Sequence, residues 1–200
     1  MKNGIHISLV VICDDDCTYA GENFMVKNGI PNIIRCFSCN GTAIVGRCTF
    51  QRLYDSCLTC ATQVILTKTI KSKTEKNPSV YIPNTNGSEL IVFADSLDKA
   101  HAFARRLSWN YERQKRKKVF VLGGKSIFEQ FINIDWIDDI YIVQFYEEFS
   151  KDFGSIDVDR DWKTVDVIFN EKYDIVRLEK RDRPLREFDD PCDYNAVYIS

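Results

Sequence analysis

The sequence predicts an α/β domain, a mostly parallel sheet covered by helices on both faces. Three observations carry this. Short apolar runs alternate with amphipathic segments from Ile7 to Phe145, the order expected of parallel strands joined by helical crossovers. The run Ile7–Cys13 is continuously apolar, as a strand buried on both faces must be. Lys118–Phe131, KVFVLGGKSIFEQF, joins an apolar run to an amphipathic one through two glycines, which reads as strand, tight turn and helix start.

The elements follow in order. Ile7–Cys13 is the first strand, and Asp14–Asn28 is a polar, glycine-containing loop. Asn32–Ser38 suits a short helix. Thr42–Val45 is a strand ending at Gly46-Arg47, and Thr49–Leu53 opens a helix. Gln63–Thr67 is a strand, and Lys68–Glu89 is a polar surface excursion with two prolines and Asn86-Gly87. Leu90–Ala94 is a strand, and Ser96 is a good N-cap for a helix over Leu97–Leu107. The basic run Tyr111–Lys118 reads as a solvated face. After Val119–Leu122 and its helix come a buried strand, Ile140–Phe145, and an antiparallel pair, Lys163–Phe169 with Tyr173–Lys180, around Asn170-Glu171. One domain over residues 1–180 and a polar tail over 181–200 are expected.

Composition bounds the function. With 44% hydrophobic and 28% charged residues the chain has the balance of a globular protein. A net charge of −2 gives no case for nucleic acid or membrane as a partner. No apolar run is long enough to cross a bilayer. The opening MKNGIHISLVVICDDD lacks a small-residue cleavage site, so it reads as a strand and not a signal peptide. A cytoplasmic protein is expected. The chain has eight cysteines. Cys36, Cys39, Cys57 and Cys60 form C-x2-C-x17-C-x2-C, a spacing within the zinc range. They read either as four ligands of one structural zinc or as ordinary partly buried thiols.

The glycine turn suggests chemistry. Free N–H groups in the first turn of a helix favour an anion such as a phosphate, and glycine lets it approach. With its neighbours in order, the chain resembles dihydrofolate reductase. The opening strand ISLVV with Gly21 and Asn23 resembles that family's first strand and mobile loop. AIVGRCTF (Ala43–Phe50) resembles its strand followed by Gly-Arg-x-Thr, and VILTK (Val64–Lys68) its next cofactor-side strand. VFVLGGKSIFEQF followed by DWIDDIYIVQF resembles its Gly-Gly block, and Trp162–Lys180 its last two strands.

The resemblance implies a three-layer fold with a central, mostly parallel eight-stranded sheet, an antiparallel C-terminal strand and helices on both faces. It implies NADPH as cofactor, with the pyrophosphate between the helix starts at Arg47-Cys48-Thr49 and Gly124-Lys125-Ser126-Ile127. Arg47 and Lys68 would read the adenosine 2′-phosphate. Ile12, Ala20, Gly21, Gly46, Leu66, Thr67, Leu122, Gly123 and Phe128 complete the implied cofactor set. Val10, Val11, Ile33, Phe37, Leu53 and Leu58 fall where a pterin-like substrate is held. It also sets the two cysteine pairs on opposite walls of the cleft for the folate tail.

The substrate half departs from the pattern. The chain is shorter than the family between Pro31 and Gly46, and the position of the family's buried acid falls on Ile33. Its threonine partner corresponds to Val143, its carboxylate-gripping arginine to Ala61, its tyrosine to Phe128 and its tryptophan to Asn32. Glu22 is the only nearby acid that could substitute, and it reads rather as an exposed loop carboxylate. The expected activity is therefore NADPH-dependent reduction of dihydrofolate to tetrahydrofolate, in one-carbon metabolism, weak or altered because Ile33 stands at the acid position. Two alternatives stay open. One is a catalytically inactive binding or structural protein using the tail as an interaction surface. The other is a reductase of a different small heterocycle.

Overall fold

The computed structural model describes residues 5–20, 33, 41–53, 62–68, 82–83, 90–110, 115–116, 118–149, 154–158 and 161–181. Its elements are β1 (Ile7–Asp14), β2 (Thr42–Gly46), α1 (Arg47–Leu53), β3 (Thr62–Leu66), β4 (Ile82–Pro83), β5 (Leu90–Ala94) and α2 (Leu97–Leu107). There follow β6 (Trp109–Asn110), β7 (Lys115–Arg116), β8 (Val119–Leu122), α3 (Lys125–Ile132), β9 (Asp139–Phe145), β10 (Trp162–Phe169) and β11 (Tyr173–Lys180). One sheet runs in the order β10-β11-β9-β1-β8-β2-β3-β5-β4, while β6 and β7 form a separate ribbon. From β9 to β5 every neighbouring pair is parallel, and β11 is antiparallel to both its neighbours. The eight expected strands are all present. The two-residue β4 adds a short antiparallel edge to β5.

The continuous apolar strands divide their side chains between two cores by simple alternation. From β1, Val10 and Ile12 enter one core, with Ile33, Val45, Leu122 and Val143. Leu9, Val11 and Cys13 enter the other, on the opposite face. Helices α2, through Ala100 and Ala104, and α3, through Ile127, Phe128 and Phe131, pack into that second core. On the first face Phe50 of α1 packs against the core, and Ile33, in helical backbone, is buried within it.

Local signals fix the element ends. The Ser96 hydroxyl accepts the Lys99 N–H at 3.3 Å and caps α2 where expected. Helix α1 begins at Arg47, two residues earlier than expected, because the last strand residue, Gly46, passes straight into the helix. Strand β3 runs one residue earlier, and the Thr67 N–H still donates to the Ala94 carbonyl at 2.8 Å. The hairpin of β10 and β11 carries a register shift between Thr164 and Asp166.

Two glycines set the height of α3 over the sheet. A Cβ at Gly46 would lie 2.7 Å from Ile127 Cγ1, and one at Gly123 would lie 2.5 Å from Ile127 Cβ. Ile127 therefore seats on two strand ends only because both lack a side chain. Gly124 differs, since a Cβ there would meet nothing within 4 Å.

Buried carboxylates tie the two ends of the sheet. At the carboxyl end of β1, Asp14 accepts the Thr18 N–H at 2.7 Å and the Phe149 N–H at 2.8 Å. The Tyr19 N–H donates to the Gly154 carbonyl at 3.1 Å, and the Ile156 N–H to Cys17 at 2.7 Å. These bonds root the loop after β1 on the segments that follow β9. At the opposite end, His6 Nε2 lies 3.1 Å and Arg177 Nε 3.2 Å from Asp139 Oδ2. Burial alone would raise the Asp139 pKa, but the His6 hydrogen bond and the nearby positive charges outweigh it and hold the carboxyl below its ordinary range.

Two outcomes follow. Gly123→Ala lowers unfolding free energy by roughly 1–3 kcal/mol through overpacking against Ile127, while Gly124→Ala changes it by only ~0.5 kcal/mol; urea denaturation measures both. A carboxyl depressed in the folded state stabilises above the unfolded carboxylate range, near pH ~4, and loses that contribution as pH falls through its folded value. Asp139→Asn thus costs ~3 kcal/mol at neutral pH and flattens the loss of stability on acidification, read from urea midpoints across pH.

Candidate functional site

At the carboxyl ends of β2, β3, β5 and β8 the structure opens into a cleft of about 900 Å³. This is the end of a parallel sheet at which ligands bind. Three helices begin on it. Arg47, Cys48 and Thr49 come from α1, Ser96 to Asp98 from α2, and Gly124 to Ile127 from α3 with the turn before it. In α3 the N–H groups of Ile127 and Phe128 donate to the Gly124 carbonyl, at 3.0 and 3.1 Å. Those of Lys125 and Ser126 have no acceptor among the described residues. With open space at the Gly124 Cβ position, that first turn is reachable from the cleft.

The cations on the wall are Arg47, Lys68 and Lys125, and its carboxylates are Asp95 and Asp98. Arg47 Nη1 lies 3.4 Å from Gln51 Oε1, and Lys125 Nζ lies 3.8 Å from Glu129. Such a wall can hold a phosphorylated ligand through backbone N–H groups and guanidinium or ammonium contacts. A second, narrow space of about 20 Å³, lined by Val10, Ile12, Tyr19, Ala20, Thr49 and Leu122 together with both turn glycines, continues beside it. That is room for about one water.

Of the residues assigned to a cofactor from the sequence, Ala20, Gly46, Arg47, Cys48, Thr49, Leu66, Thr67, Lys68, Gly124, Lys125, Ser126 and Ile127 line the cleft. Ile12, Leu122 and Gly123 line the narrow space. Phe128 does neither. Its position on α3 turns it into the second core, edge-on to Tyr19 at 5.9 Å between ring centroids. Among the substrate positions, Val10 and Ile33 face the first core, whereas Val11 points to the opposite face. Adjacent strand residues cannot share a face, so Val11 would offer a ligand on the Val10 side only its backbone. Leu53 ends α1. Gly21, Glu22, Phe37, Leu58 and Cys36, Cys39, Cys57 and Cys60 lie outside the described residues.

Ile33 is 2% exposed and Val143 fully buried, and they belong to one apolar cluster with Val10. Among the described residues no His, Cys, Asp or Glu group has the arrangement of a metal site. Burial, followed by the charges around them, pushes the thiols of Cys13 and Cys17 up, the reverse of what an activated thiolate needs.

Six cleft residues were not assigned to the site from the sequence: Tyr19, Asp95, Ser96, Leu97, Asp98 and Gln130. Asp95 and Asp98 had a usable signal, since a strand running into a capped helix is the same signature as at Gly46 and Gly124. Tyr19 had none, because its place depends on the long-range bonds around Asp14. Burial first, then the charge of Glu129, raises the Tyr19 phenol, which remains a hydrogen-bond donor.

Among the described residues, no helix is long and apolar enough to cross a membrane. No curated protein matches the chain. The solved dihydrofolate reductase from Enterococcus faecalis complexed with NADP(H) and RAB-propyl is similar in fold, with a TM-score of 0.61 at 18% identity, over 88% of this chain and 97% of that one. The family model for dihydrofolate reductase matches residues 6–177. That span takes in every strand of the sheet from β1 to nearly the end of β11, and the chain belongs to the dihydrofolate reductase family.

Proposed function

We propose that this protein binds NADPH in the large cleft and is a weak or altered reductase of the dihydrofolate reductase type, passing hydride to dihydrofolate or a related pterin. The observation that carries the reading is the convergence of helix starts on a cleft left open at Gly124. The first turns of α1 and α3 would hold the pyrophosphate, and Arg47 and Lys68 the 2′-phosphate. The related Enterococcus faecalis enzyme, solved with NADP(H), supports the choice of cofactor. Bound there, NADPH would supply the hydride, and this chain's part is to orient it over the apolar inner space.

The reduced activity rests on Ile33 and Val143. Reduction of a pterin needs a proton beside the carbon that takes the hydride, and buried hydrocarbon at these positions cannot deliver one. General acid catalysis is worth typically ~10²–10⁴-fold, so its loss slows the reaction without forbidding it. The same observation favours a second reading, a dinucleotide-binding protein without turnover, with the tail over 181–200 as a surface for a protein partner. A cytoplasmic location fits either reading.

Titration calorimetry with NADPH is expected to show saturable binding to the wild type. Gly124→Val is expected to weaken it at least tenfold while melting at a similar temperature, since its side chain would enter the cleft and not the core. Following NADPH absorbance with dihydrofolate should show slow turnover. Binding without any turnover above background would rule out the folate assignment and leave the second reading. Ile33→Asp with Val143→Thr is expected to raise the rate by at least ~10-fold and to introduce a carboxyl limb into its pH profile.

A further inference from the structure

The cleft wall built by β3, β5 and α2 carries charge of both signs. Lys68 follows the end of β3, Asp95 follows β5, and Asp98 stands in the first turn of α2. The bond from the Thr67 N–H to the Ala94 carbonyl, 2.8 Å, fixes the chain just before Lys68 beside the chain just before Asp95. Asp95 is partly answered by Lys99, whose Nζ lies 2.7 Å away. That hydrogen bond holds the Asp95 carboxyl below its ordinary range. Asp98 is exposed and has no ion-pair partner among the described residues. Ser96 already caps the helix, so the Asp98 charge answers the dipole of α2 and the His101 ring three residues on. A helix start that holds its own carboxylates satisfies its preference for anions from within, and has less left for a ligand.

The two nicotinamide dinucleotides differ only at the adenosine 2′ position, which carries a hydroxyl in one and a phosphate of up to two negative charges in the other. A ribose hydroxyl can donate to a carboxylate, whereas a phosphate is repelled by it. Resting on the cofactor site proposed above, we propose that Asp98, with Asp95 beside it, is a specificity determinant set against the 2′-phosphate. This chain then separates NADPH from NADH less sharply than Arg47 and Lys68 alone would make it. Among the described residues the wall opposes three cations with two carboxylates, and the carboxylate without an ion-pair partner there is the one on the helix start.

The test is calorimetric titration of the full chain with NADPH and with NADH, at low and at high salt. In Asp98→Asn the affinity for NADPH is expected to rise roughly threefold to tenfold more than that for NADH at low salt. That excess shrinks as salt is raised to ~0.5 M, where exposed charges are screened. Asp95→Asn, which also frees Lys99, moves the ratio the same way and further. An NADPH-to-NADH ratio that stays constant or falls in both variants overturns the inference and leaves the cofactor site standing. A wild-type chain that binds neither dinucleotide overturns the cofactor site itself, and the inference with it.

Discussion

The seat of Ile127 against Gly46 and Gly123 is the contact on which the cleft depends. Strand ends β2 and β8 reach the first turn of α3 at distances no Cβ could tolerate, 2.7 and 2.5 Å from Ile127 atoms. This close approach fixes where the helix starts, and so where its free N–H groups point. It also leaves Gly124 on the outer side, facing open space. The two turn glycines thus divide the work. Gly123 brings helix and sheet together, and Gly124 keeps the way to the helix start clear. An added methyl at Gly123 would lift the first turn away from α1 across the cleft, and displacements of that size are felt strongly by a positioned ligand.

Most of the fold was legible because its signals are local. Continuous apolar runs marked the strands of β1 and β8, the Ser96 hydroxyl marked the start of α2, and the polar pair Asn170-Glu171 marked the last hairpin. What escaped depends on distant partners. Nothing near Asp14 announces that its carboxylate will bind the Phe149 N–H, so the anchoring of the loop and the place of Tyr19 were not legible. Site residues divided in a similar way. The cleft-lining glycines and cations came from motifs recognised as a resemblance. Strand alternation and helix rotation set the side chains of Val11 and Phe128 in the second core, away from the cleft. Asp98 was not singled out in the sequence, and its place on the cleft wall emerged only with the fold.

The two halves of the molecule differ in chemistry. The cleft wall is polar and charged, and the Lys125 and Ser126 N–H groups on it have no acceptor among the described residues. The interior beside it, where Val10, Ile33 and Val143 meet, is hydrocarbon. A carboxylate set there alone would face a steep desolvation cost, and a threonine hydroxyl without an acid would lack its partner. On the reading proposed above, isoleucine and valine at these positions together turn a polar pair into packing, and both side chains are buried in the first core.

The sheet's two borders carry a consequence for how copies of this chain meet. An unpaired outer strand is a template on which another chain can add a ladder of backbone bonds. At one border the register slips between Thr164 and Asp166 in β10, which bends the strand and breaks the regular spacing of its free donors and acceptors. At the other, β4 has only two residues, and one of them, Pro83, has no N–H to give. Phe169 of β10 is 77% exposed, yet among the described residues neither border offers a long, regular strand for another chain to extend.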